Sequence, residues 1–184
     1  IANSLDEGYS IQRACRTAGI VLMVGHCFRR LGAARKGKAL IEQDALGQVV
    51  LAEANFSLPS TLTPDKWRYY RSSNPGGALM QLGVHHADTL QYWLGPAESV
   101  SGSIARLATQ AESDDVGSAQ IRFASGARGV INSSAVSPKT YYLRLYGSQA
   151  NLFYETDMSI WPNAEKVDPS TMLTLVTPGS SERI

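Results

Sequence analysis

Apolar residues recur along this chain in two rhythms, and the change from one to the other falls near Pro96. Before that point the spacing is helical. Leu79, Leu82, His86, Leu90 and Trp93 lie three or four positions apart and form one burying face. Asn74 as N-cap, Pro75 at the first helical position and Gly95-Pro96 as a stop predict a helix over residues 75–94. Gln81, His85 and Asp88 fall on a second face of that helix at i, i+4 and i+7, a polar row in an apolar segment. Gly83 costs the helix about 1 kcal/mol against alanine, which predicts that a backbone or ligand comes close to it. Upstream, residues 5–18 read as an amphipathic helix stopped by Gly19, and the apolar run 20–26 reads as a buried strand. Residues 28–44 read as a further helix, and residues 48–57, after Gly47, as a strand.

After Pro96 the rhythm shortens to that of strands, expected over residues 98–108, 116–124, 127–136, 141–146 and 151–155. Ser125-Gly126 and Gly147-Ser148 are tight-turn signals between several of them, so the sheet is expected to be mostly antiparallel. The segment from Trp161-Pro162 to Ser181 is rich in Pro, Ser and Thr and supports at most one short strand, over residues 172–176. The fold class is therefore α+β: an open, mostly antiparallel sheet with helices packed on one face. Along residues 130–136 the alternation is too mixed for a face fully open to water, so association through the open sheet face is expected.

Chemistry concentrates on the polar row. A neutral imidazole with a pKa near 6.5 is suited to take a hydroxyl proton, which makes His85 the candidate general acid/base. A helix histidine is as readily a hydrogen-bonded boundary residue, and the residues alone leave both roles open. His85, His86 and Asp88 are also the residues a metal-dependent hydrolase or lyase would need. Adjacent helical residues point about 100° apart, however, and no distant His/Glu pair joins them. Trp67-Arg68 lies in a loop rich in Pro, Ser and Thr that leads into the helix and flanks the expected pocket.

Gly76-Gly77, Gln81-x-x-x-His85-x-x-Asp88 and Trp93-Leu94-Gly95 together resemble a motif of the Gfo/Idh/MocA family of NAD(P)-dependent oxidoreductases. In that family's C-terminal domain a Gly-Gly opening leads to Asp-x-x-x-His-x-x-Asp and then to Trp-Leu-Gly. Ile1-Ala2-Asn3-Ser4-Leu5 looks like the residues that follow the family's Glu-Lys-Pro, and Val24-Gly25-His26 like the close of its Rossmann domain. The resemblance implies that residues 1–27 are a residual C-terminal αβ unit of a Rossmann domain. Residues 28–184 are then a substrate-binding and oligomerisation domain, the two being part of a longer protein.

It further implies hydride transfer between a nicotinamide and a sugar, polyol or related cyclic alcohol, with His85 as acid/base and Gln81, Trp67 and Arg68 on the substrate. Cys27 and Arg29 would border the cofactor, and Gly76, Gly77, Gly83 and Asp88 would shape the site. NAD or NADP would belong to the longer parent. No Gly-x-Gly-x-x-Gly follows a strand here, so this chain alone is expected to be inactive and to hold no dinucleotide tightly. The family's open sheets commonly form dimers or tetramers. Gln81 departs from the family's Asp and cannot ionise, which keeps open a non-catalytic ligand-sensing or assembly protein on the same fold.

Composition narrows the setting. The chain is 43% hydrophobic and 18% charged with net charge +1, and no apolar run is long enough to span a bilayer. A balanced charge argues against nucleic acid as partner, and the basic residues Arg29, Arg30, Arg35, Lys36 and Lys38 read as a solvated helix face. Cys15 and Cys27 lie in different expected elements without metal-ligand spacing, as in a reduced cytoplasmic protein.

Overall fold

The computed structural model describes residues 2–157 and 171–184. Helix α1 (Leu5–Thr17) begins as its sequence asks: Ser4 Oγ accepts the Glu7 backbone N–H, and Asp6 and Glu7 occupy the first turn. A single 3-10 turn, Phe28–Arg30, precedes α2 (Gly32–Glu42), and Gly47, at φ +62°, turns the chain into β1 (Val49–Ser57). A second 3-10 turn, Trp67–Tyr69, lies in the long connection to a π-helical segment, Leu79–Gly83, which continues directly as α3 (Val84–Leu94). Strands β2 (Ala97–Ala105), β3 (Val116–Phe123), β4 (Arg128–Ser134), β5 (Thr140–Gly147) and β6 (Asn151–Glu155) follow. Strands β7 (Met172–Thr177) and β8 (Ser180–Arg183) close the chain.

All eight strands form one sheet in the order β2-β3-β4-β1-β5-β6-β7-β8. Neighbours run antiparallel except β1 and β4, which are parallel with Leu51 opposite Arg128 and Asn55 opposite Asn132. Period-two alternation sends Ala52, Ala54 and Phe56 of β1, Tyr141, Leu143 and Leu145 of β5, and Leu152 and Tyr154 of β6 to one buried face. Helices α2 and α3 cover that face. Trp93 anchors them: its ring is buried, its Nε1 donates to the Ala34 carbonyl at 2.9 Å, and a Cβ at Gly37 would come within 2.8 Å of it. The opposite face carries Leu51, Val130, Tyr142 and Phe153 among Glu53, Arg144 and Glu155, with Tyr146 Oη donating to Glu53 and Arg144 paired to Glu155.

Several expectations are corrected. Residues 20–26 form no strand: a strand needs a hydrogen-bonding neighbour, and none of the described residues offers one, so Val21 and Met23 stand 93% and 78% exposed. Helix α1 buries none of its residues. The expected helix over 28–44 is split, because Leu31 adopts an extended conformation between the 3-10 turn and α2. The site helix opens at Gly77, not Pro75, and the Asn74 side chain does not cap it; its amide donates to the Arg68 carbonyl at 3.3 Å. The tail carries a hairpin, not one strand: Gly179 at φ +124° lets β8 fold back on β7. The expectations for Trp161 and Pro162 lie outside the described residues.

Candidate active site

The side chain of His85 is held in place by rings. Phe28, from the turn before α2, tilts against it at 4.7 Å between centroids, Phe56 at the end of β1 lies at 5.9 Å, and His26 meets it edge-on at 6.1 Å. Its Nδ1 is buried and makes no hydrogen bond. Burial pushes the imidazole below its usual pKa, the neighbouring His26 lowers it further, and Asp88 acts in the opposite sense. His85 is thus a neutral base at neutral pH with one nitrogen already dry.

Its neighbour His86 lies about 100° around the helix and turns into the core. It is fully buried against Tyr141 at 4.6 Å and Phe56 at 5.9 Å, and desolvation lowers its pKa to about 3. It is a core residue.

A cavity of about 420 Å³ opens in front of His85, and Gln81, Arg68 and Lys66 line it with Phe28, Phe56, Ser60 and Thr61. The wide turn of the π-helical segment carries Gln81 at the cavity wall, and Arg68 Nε donates to Gln81 Oε1 at 2.8 Å. Trp67 is half exposed and serves as a platform, the Arg68 guanidinium lying 4.4 Å above its ring. The Arg68 backbone is tied down beneath: its carbonyl accepts from Ser113 Oγ at 2.6 Å and from Asn74 Nδ2 at 3.3 Å.

A second cavity, about 520 Å³, lies on the other side of His26, lined by Met23, Val24, Gly25, Cys27, Arg29, Arg30 and Asp88. Here Asp88 turns away from His85 and binds Arg29, whose Nε donates to Oδ2 at 2.7 Å and whose Nη2 donates to Oδ1. This pair raises the Arg29 pKa through the hydrogen bond and ties the turn at 28–30 to α3. Cys27 is exposed and carries a free thiol.

The glycines have packing roles. A Cβ at Gly77, itself at φ +50°, would overlap the Asp114 carbonyl oxygen, to which the Ala78 N–H donates. At Gly76 a Cβ would crowd Met80, and at Gly83 it would meet Leu79, Ser133 Oγ and Ile131. What comes close to Gly83 is thus a side chain of its own segment and two side chains of β4, in place of the expected backbone or ligand. Among the described residues no three His, Cys, Asp or Glu side chains gather as a metal site, and no helix is long and apolar enough to cross a membrane.

The structure thus brings His85, Gln81 and Arg68 to one cavity, with Trp67 beneath Arg68, and places Cys27, Arg29 and Asp88 at the other. Sequence reasoning missed Lys66, Phe28 and Phe56 as wall residues. Lys66 carried a signal, being adjacent to Trp67-Arg68, whereas the two phenylalanines stood only as members of an expected helix and an expected strand.

The profile of the GFO/IDH/MocA C-terminal domain matches residues 34–153. Among curated proteins, a 1,5-anhydro-D-fructose reductase of Ensifer adhaerens is 30% identical over 103 residues, 55% of this chain and 31% of that protein. D-xylose 1-dehydrogenase (NADP(+)) 2 of Haloferax volcanii is 26% identical over 166 residues, 88% of this chain and 49% of its own length. A crystal structure of a candidate NADPH-dependent oxidoreductase from Desulfitobacterium hafniense superposes with a TM-score of 0.93 at 32% identity, covering 100% of this chain and 55% of that one. The chain therefore spans about a third to a half of the length of these curated relatives.

Proposed function

Because the chain belongs to the GFO/IDH/MocA family, we propose that it is the substrate-binding and oligomerisation part of an NAD(P)-dependent oxidoreductase acting on a sugar, polyol or related cyclic alcohol. The observation that carries this is His85, a ring-clamped neutral base that lines a cavity furnished with hydrogen-bonding groups.

Oxidation of a carbinol requires that its hydroxyl proton leave, and a neutral imidazole accepts it; in the reverse direction the imidazolium returns it. Gln81 and Arg68 offer an amide and a guanidinium to orient the neighbouring hydroxyls. Phe28, Phe56 and Leu82 exclude water around the base. The residues at 23–29 fit the reactive end of a nicotinamide, since Met23 and Val24 give an apolar wall beside His26. Gly76-Gly77 does not fit its pyrophosphate, for Gly77 is closed against the Asp114 carbonyl and offers no phosphate cradle. When bound, the nicotinamide supplies the hydride acceptor or donor.

Residues 1–27 then correspond to the last αβ unit of the cofactor-binding domain, with residues 20–26 becoming a strand only beside that domain's sheet. The mixed outer sheet face, with Leu51, Val130, Tyr142 and Phe153, is the surface for dimer or tetramer formation. Unpaired Cys15 and Cys27 accord with a cytoplasmic setting. A second reading, a ligand sensor on the same fold, draws on Gln81, whose amide gives His85 no anionic support.

The test is steady-state turnover of aldoses and polyols by the full-length protein with NAD(P)+, followed by nicotinamide absorbance. His85→Ala should lower kcat by about 100- to 10,000-fold. Retention of kcat within about threefold would remove His85 from the chemistry, and no turnover of any sugar would favour the sensor. The 184-residue chain alone should show neither turnover nor tight NAD(H) binding.

A further inference from the structure

Arg29, Arg71, Arg122 and Arg144 each meet a carboxylate side chain. Arg68 meets none among the described residues. Its Nε is held by the neutral Gln81 oxygen and its face by Trp67, and its backbone is pinned by Ser113 and Asn74. Arg68 is exposed, so its guanidinium keeps its hydration; with no carboxylate beside it and, among the described residues, no hydrogen bond at its two terminal nitrogens, the fork is open to a planar partner of opposite sign.

Resting on the oxidoreductase reading above, we infer that the cavity beside His85 takes a sugar or polyol bearing an anionic group, a carboxylate or a phosphate, with Arg68 as its principal anchor. No lining residue of that cavity is acidic. Lys66 adds a second cation at the mouth, although Asp65, 2.8 Å from its ammonium, offsets much of that charge. Gln81 is the specificity-determining partner. Its amide oxygen fixes the fork through Nε, as a carboxylate would, but leaves the charge available to a ligand. His85 and Arg68 line the same cavity of about 420 Å³, so one small acidic sugar reaches the base and the anchor together.

The experiment is calorimetric titration of the full chain at low ionic strength with D-gluconate, D-glucuronate and D-glucose 6-phosphate against neutral D-glucose and sorbitol. At least one acid should bind about tenfold tighter than its neutral parent, as expected for a charge-assisted, bidentate contact, and the preference should fall with added salt. The better acid, carboxylate or phosphate, identifies the group. Arg68→Gln should bring acid and neutral ligands within about twofold of one another, and Arg68→Lys should retain part of the preference. Gln81→Glu keeps the arginine but supplies an internal carboxylate, and should erase the preference as well. Equal affinity for acids and neutral parents, no acid bound, or a preference that survives both Arg68→Gln and Gln81→Glu would overturn the inference. Hydride transfer is not read in these titrations. A His85-dependent turnover of neutral polyols without acid preference would remove this inference alone, whereas acid binding without any turnover would remove only the oxidoreductase reading.

Discussion

Helices α1 and α3 are both amphipathic in sequence, yet they end in opposite environments. Helix α3 buries His86, Asp88, Thr89, Leu90, Trp93 and Leu94, while α1, two residues longer, buries nothing. The same contrast separates β5, whose Tyr141, Leu143 and Leu145 are buried at alternate positions, from residues 20–26, which are as apolar and stay exposed. Side-chain pattern states which face needs covering. Whether an apolar run becomes a strand depends on a backbone neighbour to complete its hydrogen bonds, and that is a property of the surroundings. In the helix-and-sheet body both conditions are met; in residues 2–27 only the first is.

The sharpest way to break this comparison is to remove the body's anchor. Trp93→Ala deletes a buried ring that touches Gly37, lies 6.0 Å from Tyr154 and donates to the Ala34 carbonyl. It should cost about 3–5 kcal/mol in urea unfolding. A loss under about 1.5 kcal/mol would mean that α2 and α3 are far less well packed on the sheet than their burial indicates.

A smaller effect sits two helical turns away and depends on pH. His86 has a folded pKa of about 3 against an unfolded value of 6.5. Between those values the unfolded chain binds the extra proton, so stability is full above pH 6.5 and is lost as pH falls toward 3. The native state should be about 2 kcal/mol less stable at pH 5 than at pH 7 on this account. His86→Phe, flanked by Phe56 and Tyr141, should flatten that slope. Asp115, whose carboxylate accepts the backbone N–H groups of Leu107, Ala108 and Thr109, titrates at lower pH and does not account for loss near pH 5. Equal slopes in wild type and variant would exclude His86 as the source.

How much of this was legible follows from the same distinction. Strands β2 to β6 were readable because period-two alternation and turn residues are local signals, and each found its partner through a hairpin or a neighbouring connection. The parallel pairing of β1 with β4 was not readable, since nothing in residues 49–57 names which strand will lie beside them. The polar row on the site helix was correct in register, because helical spacing alone places Gln81 and His85 together. Its third member, Asp88, turned to Arg29, and that choice is set by a turn fifty-nine positions earlier in the chain. The π-helical turn at Leu79–Gly83 left no compositional mark beyond Gly83, whose close neighbours proved to be the Leu79 side chain and then side chains of β4.

The smallest expected effect is the most discriminating for the comparison. Val21→Ser changes an apolar side chain that is 93% exposed, so it removes almost no buried area and should alter the unfolding free energy of this chain by less than about 0.5 kcal/mol. Ile121→Ser, on the covered face of β3 and 7% exposed, makes a comparable loss of apolar volume and should cost several times more, because it removes packing and leaves a hydroxyl to be satisfied in the interior. If the two substitutions cost the same, residues 20–26 would be packed against the body in solution, and the division between a covered and an uncovered part of the molecule would fall. If only Ile121→Ser matters, the apolar run 20–26 contributes nothing to the stability of this chain, and its hydrophobicity answers to a surface that the described residues do not supply.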